Sequence, residues 1–420
     1  MRKKGAEIIY VKMINNPKLF CLLLLLIIEL LYLCVGGVKW DYFHSYFHCD
    51  NHDTFMDYFN MLSETGIMKS AIYETKVIYP AFCFMLLDIV YSFMPESAQA
   101  MNSFDLRAYQ YALFPFIVLL LGVIILLWEL LKRSYGRNNV ESTIFALSMI
   151  MSGPILFTIE RGNMILLAFV FILIFGLYYN SENKWLRYLA YIALAISSAI
   201  KIYPALFGVL IISHKRWKET IVAIALGVGF FVLPFVKFGG VSSIVALYNN
   251  IVSASPVLAN RGTGYNFSFL NIIKIVQTLF GNVDTQPSEV VRLVSFFIPI
   301  FIYLFNSEEW KRLYAITLFC IWVPEFSYTY TLVFFILPFI YFLNEDKKVE
   351  TIDCIYMLLF IIMLVPTATV SFPQPGILEE VYPLSGSVMI GNAGIVTLSL
   401  FLILEGVLNI LKWFQRKREK

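Results

Sequence analysis

Apolar residues run along this chain in blocks of about twenty, separated by short polar stretches rich in Lys and Arg. Wound as an α-helix at about 1.5 Å per residue, such a block crosses a hydrocarbon core of about 30 Å. Lipid offers no partner to backbone N–H and C=O groups, so the blocks must be helices. Segments 19–38, 109–131, 141–159, 164–180 and 219–236 read as spans, followed by 290–305, 312–324, 331–343, 352–371 and 388–413. Segment 185–213 begins and ends beside basic residues, and Pro204 supplies a break inside it, so it reads as two half-helices. The pattern predicts an all-α, polytopic integral membrane bundle of about ten spans plus the half-helix pair.

Composition agrees: 59% of the 420 residues are hydrophobic and 15% charged, against about 45–50% and about 25% in globular chains. Segment 19–38 is longer than a signal-peptide core and no small-residue cleavage site precedes Trp40, so it reads as a retained span. No repeat or soluble domain interrupts the chain, and residues 1–420 read as one membrane domain in contact with membrane lipids.

Charge sets the orientation. The net charge of +3 resides in clusters at helix ends, which argues against nucleic acid as a partner and for membrane topology. Arg2, Lys3, Lys4, Lys12 and Lys18 precede the first span, and Arg416, Lys417 and Arg418 follow the last, so both termini are expected in the cytoplasm. Keeping Lys132, Arg133 and Arg137 on that side requires segment 79–94 to be re-entrant or surface-lying. Two long loops, 39–108 and 237–289, are then extracytoplasmic. The six cysteines have no zinc spacing, although Cys49 and Cys83 lie where they could pair.

The polar residues that chemistry requires gather on that outer side. At about 100° per residue, Asp53, Asp57, Asn60 and Glu64 share one helix face, opposite Phe55, Phe59 and Leu62. This predicts an external amphipathic helix that holds carboxylates at headgroup depth. Carboxylates one turn apart repel, which suits one of them to take a proton from a hydroxyl, so Asp53 and Asp57 are the candidate bases. His44, His48 and His52 fall at helical spacing, but histidines among aromatics at an interface more often hydrogen-bond at the headgroups, and no metal or cofactor is expected.

Glu160 and Arg161 form a charged pair at a tight turn with Asn163. Lys201 needs an anionic partner from elsewhere in the fold, for which a phosphate would serve. Arg261, among Gly262, Gly264 and Asn266, is a guanidinium beside flexible backbone. Glu325 and Tyr328 follow Pro324 at another outer turn.

These stretches resemble the GT-C superfamily of membrane glycosyltransferases, and within it glycosyltransferase family 87, the bacterial polyprenyl-phosphate-sugar mannosyltransferases and relatives. The likeness rests on HDTFMDYFN at 52–60, YP at Tyr79-Pro80, ERGN at 160–163, KIYP at 201–204 before HKRW, and GYNFS at 264–268. Ala81 stands where the family usually has a second proline, and Glu160-Arg161 where Gly-Gln is commoner. The resemblance implies a polyprenyl-phosphate sugar donor, a glycan or glycolipid acceptor, inversion at the anomeric carbon, and Asp53 or Asp57 as base. Arg161, Lys201 and Arg261 would bind the donor phosphate. Sugar or acceptor contacts would come from Glu160, Asn163, Tyr79 and Tyr203, and from Asn266, Glu325 and Tyr328. Two other classes fit parts of the pattern. A polysaccharide polymerase or ligase using undecaprenyl-linked oligosaccharide would lean on arginines. A flippase for such lipids would need charges at mid-span, where Glu29 and Asp88 are the main candidates.

Overall fold

The computed structural model describes residues 16–38, 54–98, 101–136, 138–261, 263–279, 289–365 and 386–418. Among them the chain is helical, and its one β-bridge joins Asn266 to Tyr328. In chain order the helices are α1 (Pro17–Val38), α2 (Met56–Met68), α3 (Ala81–Ser92), α4 (Ser103–Ala108), α5 (Gln110–Ser134) and α6 (Asn139–Ile150). There follow α7 (Gly153–Arg161), α8 (Ile165–Tyr178), α9 (Lys184–Ile200), α10 (Val209–Ser213), α11 (Trp217–Val232) and α12 (Val241–Arg261). The last are α13 (Phe269–Leu279), α14 (Glu289–Phe305), α15 (Glu309–Trp322), α16 (Ile336–Asn344), α17 (Thr351–Leu364) and α18 (Gly386–Arg418).

Five described helical segments are long and apolar enough to cross a membrane, or six if α6 and α7 form one broken span. Segment 141–159, read as one span, is bent by 52° between α6 and α7. Pro154 explains the break, because its ring disfavours helical geometry at the preceding residue and it lacks an N–H. Segment 185–213 breaks at Lys201, whose backbone is extended between α9 and a 3-10 turn at Tyr203–Gly208. Helix α3, within the 79–94 segment, has 12 residues, about 18 Å at about 1.5 Å per residue and too short to span. Segment 237–289, read as a loop, instead carries α12, of which Val241–Ala259 is long and apolar enough to cross a membrane. Its serines, asparagines and Pro256 dilute the apolar signal in the sequence.

The chain divides into two compact units. One holds α1, α6 and α13 to α18; the other holds α2 to α4, α8 to α12, residues up to 130 of α5 and residues 157–161 of α7. In the second unit, α2 is fixed by its apolar face. Tyr58 and Phe59 pack their rings 4.5 and 5.5 Å from that of Phe116. Leu62 is fully buried, while Asn60 is exposed and Asp57 and Glu64 are half-buried. Asn102 caps α4 by accepting from the amides of Phe104 and Asp105. In the first unit, the buried Lys18 ammonium donates to the carbonyls of Leu343 and Glu345 at the end of α16, the complement that a helix C-terminus needs.

Candidate active site

The site begins with a turn. Helix α7 ends in a Schellman motif, in which Gly162 N–H donates to Ile159 O and Asn163 N–H to Thr158 O. Gly162 is left-handed, with φ +62°, the conformation this cap requires. A Cβ there would lie 3.1 Å from Phe55 Cα and 3.2 Å from its carbonyl oxygen. Phe55 is itself left-handed at φ 65°, and its amide donates to Glu160 O at 2.7 Å. The ERGN turn thus docks backbone to backbone on the start of α2.

That docking delivers two side chains to Asp57. Arg161 Nη2 donates to Oδ1 at 2.6 Å and Asn163 Nδ2 donates to Oδ2 at 2.7 Å. The Asn163 carbonyl oxygen accepts the Ile165 amide at the start of α8, at 3.0 Å, which fixes the amide so that its NH2 faces the carboxylate. The same NH2 donates to the Tyr79 hydroxyl at 3.4 Å. Burial, with the Asp57 charge second, holds that hydroxyl well above its usual range, so Tyr79 stays protonated. Lys201 Nζ lies 4.0 Å from the Tyr79 ring centroid, a cation–π distance. Arg161 and Lys201 thus bring two cations to the neighbourhood of the Asp57 carboxylate. Asp57 keeps 16% of its side chain exposed, enough for a hydroxyl to reach a free lone pair.

Asp57 also lines a cavity of about 470 Å³. From α2 it receives Asp57, Asn60 and Glu64, three of the four polar residues that the spacing put on one face; from the irregular segment 76–80, after a 3-10 turn at Lys69–Thr75, come Lys76 and Tyr79; and α12 lines it with Ser253, Val257 and Leu258. Asn250 on α12 holds that segment by donating to the carbonyls of Tyr73 and Val77. Lys76 and Ser253 escaped the sequence reading. An exposed lysine and a serine in a helix carry no pattern that marks a site.

The remaining candidates are distributed as follows. Glu160 is buried and contributes its carbonyl to Phe55, and Tyr203 opens the 3-10 turn after Lys201. Asp53, Cys49, His44, His48 and His52 lie outside the described residues, as does the side chain of Arg261, the last residue of α12. The Cys83 thiol donates to Ile200 O at 3.4 Å. Asn266, Glu325 and Tyr328 belong to the first unit. There the fully buried Asn266 side chain accepts from the amides of Ser268 and Ser327 and donates to Glu325 O. Both acceptor positions of its carbonyl oxygen and one N–H join the GYNFS segment to residues 325–327. The Glu325 carboxylate pairs with Arg292 at 2.9 Å.

A family model described as glycosyltransferase family 87 matches residues 92–304. The chain belongs to glycosyltransferase family 87. The match contains Arg161, Asn163 and Lys201, while Asp57 and Tyr79 precede it. The family supports glycosyl transfer as the activity, with a sugar donor and an acceptor as substrates and a membrane as the setting. No curated protein and no solved structure matches this glycosyltransferase.

Proposed function

We propose that this glycosyltransferase moves a sugar from a polyprenyl-phosphate donor to a hydroxyl of a glycan or glycolipid on the extracytoplasmic face, with inversion and with Asp57 as general base. The observation that carries the reading is the grip of Arg161 and Asn163 on Asp57 at the edge of an open cavity. A base must sit within about 2.6–3.2 Å of the proton it takes, and a carboxylate held at both oxygens is already oriented for that. The acceptor O–H proton passes to Asp57 while its oxygen attacks the anomeric carbon. The carbon–oxygen bond to phosphate breaks, and polyprenyl phosphate leaves with the electron pair. Attack opposite the leaving group inverts the centre.

The local positive charge from Arg161 and Lys201 suits the phosphate and the negative charge that grows on it. Arg261 would add a third cation. A lipid-linked donor also needs an apolar berth. An apolar groove of about 810 Å³ between α3 and α11, bordered by Phe82, Met85, Ile221, Phe230 and Leu233, supports an isoprenoid tail there. Asn163, Tyr79 and Tyr203 on one side, and Glu160 behind the turn, are the proposed sugar contacts; Asn266, Glu325 and Tyr328 would act through the segment they hold together. The basic residues at the ends of α1 and α18 favour cytoplasmic termini for a multi-pass protein of the cell membrane.

The test is transfer of radiolabelled sugar from a panel of polyprenyl-phosphate sugars by purified protein, with Asp57→Asn and Asp53→Asn beside wild type. Transfer by wild type and Asp53→Asn but not by Asp57→Asn, with donor binding retained, supports the reading. Normal transfer by Asp57→Asn removes the base assignment. Consumption of no polyprenyl-phosphate sugar removes the donor.

A further inference from the structure

We propose that Glu64 determines acceptor specificity, binding a hydroxyl of the acceptor glycan one sugar away from the hydroxyl that reacts at Asp57. The inference rests on the proposed transfer reaction and concerns the roughly 470 Å³ cavity at its edge. Asp57 and Glu64 are seven residues apart on α2 and line the same cavity. Seven residues return to nearly the same helix face, about 10 Å further along the axis. That reach exceeds one pyranose ring. Asn60, between them on the same wall, supplies an amide.

The cavity has the two-sided character of a sugar site. One wall is the polar stripe of α2; the facing wall is Ala254, Val257 and Leu258, suited to the C–H faces of sugar rings. It favours the acceptor over the donor because the two cations set against the donor phosphate, Arg161 and Lys201, are not among the described residues that line it; the lining lysine, Lys76, is exposed. Helix α2 has no freedom to turn this stripe elsewhere, because Phe59 and Leu62 are buried on its opposite side. Burial pushes the Glu64 carboxyl up to about 7, so near neutral pH it offers an O–H as well as a lone pair, as a binder of hydroxyls should.

The experiment uses the full chain in lipid nanodiscs, with Glu64→Ala, Glu64→Gln and Asn60→Ala. Steady-state transfer gives KM for acceptor and for donor separately, and equilibrium titration with 4-nitrophenyl α-mannoside, α-glucoside and β-galactoside reads the cavity without chemistry. Glu64→Ala and Asn60→Ala should each raise the acceptor KM about tenfold, the equivalent of about 1.4 kcal/mol, and leave the donor KM unchanged. Glu64→Gln, which keeps a donor and an acceptor, should restore most of the affinity. One or more glycosides should bind wild type and Glu64→Gln, and bind Glu64→Ala about tenfold more weakly. If glycosides bind in this pattern but no polyprenyl-phosphate sugar is used, the donor assignment fails and the Glu64 site stands. If wild type transfers sugar but acceptor KM and glycoside binding are indifferent to Glu64→Ala, the Glu64 site is overturned and the transfer reaction stands. Binding of no glycoside together with an unchanged acceptor KM, or an effect on donor KM alone, also overturns it.

Discussion

Asp57 and Arg161 are 104 positions apart in the chain and meet at 2.6 Å, guanidinium nitrogen to carboxylate oxygen. Both side chains are mostly buried, so the pair is a charge-assisted hydrogen bond that water screens only in part. It positions the carboxylate that the proposed reaction needs.

Arg161→Ala removes that partner. Hydrogen bonds to charged groups contribute about 1.5–3 kcal/mol, so the thermal unfolding midpoint should fall, and transfer should fall further than stability alone requires. Arg161→Lys should recover part of the stability because it keeps the charge, but not the fork geometry. Thermal unfolding of the nanodisc-embedded protein, with initial rates on the same samples, measures both. Arg161→Ala with wild-type rates would remove Arg161 from the mechanism.

Gly162→Ala should be costly although only a methyl is added. The left-handed conformation disfavours a Cβ by about 1–2 kcal/mol, and that Cβ would press on Phe55 backbone at 3.1 and 3.2 Å. The expected outcome is a lower unfolding midpoint together with slower transfer, since displacing the turn moves Arg161 and Asn163 off Asp57. Gly136, where a Cβ meets nothing within 4 Å, provides a control: Gly136→Ala should change neither.

Stability should depend on pH through Glu64. Burial raises its folded-state carboxyl from 4.5 to about 7, so the folded protein holds this proton more tightly than the unfolded chain. The resulting stability is fully present below the unfolded value and is lost as pH rises through about 7. The charged groups around it are Asp57 and Lys76 in the cavity. On the helices packed against α2, Asp88 pairs with Lys237, Asp105 accepts from Asn102, and Arg107 donates to Thr54 O. Unfolding midpoints from pH 5 to 9 should decline more for wild type than for Glu64→Gln; parallel curves would refute this.

In the first unit, Asn266→Ala should destabilise without touching a reacting group. It leaves the Ser268 and Ser327 amides and the Glu325 carbonyl without the side chain they now share, and a buried unsatisfied polar group costs about 1–3 kcal/mol. Limited proteolysis and the unfolding midpoint report the loss. Asn266→Asp keeps the two acceptor bonds but loses the donation to Glu325 O, so its effect should be intermediate.

Local spacing determined much of this protein. The length of the apolar blocks marked the spans, helical spacing put Asp57, Asn60 and Glu64 on one side of α2, and Glu160 to Asn163 read as a tight turn, because helix faces and turns depend on residues only a few positions apart. Local spacing did not reveal the 52° bend before Gly153-Pro154, or the helix of 21 residues within the segment read as the second loop. There, polar residues that serve packing, such as Asn250 stapling the Tyr73 and Val77 carbonyls, imitate the composition of a loop. Tertiary structure alone brought Arg161 and Asn163 to Asp57, set Lys201 over Tyr79, spent Asn266 on backbone, and enclosed the Asp57 to Glu64 stripe against α12. Contacts across a hundred residues are fixed by which apolar faces find each other, and the sequence writes those faces in the same few residue types everywhere.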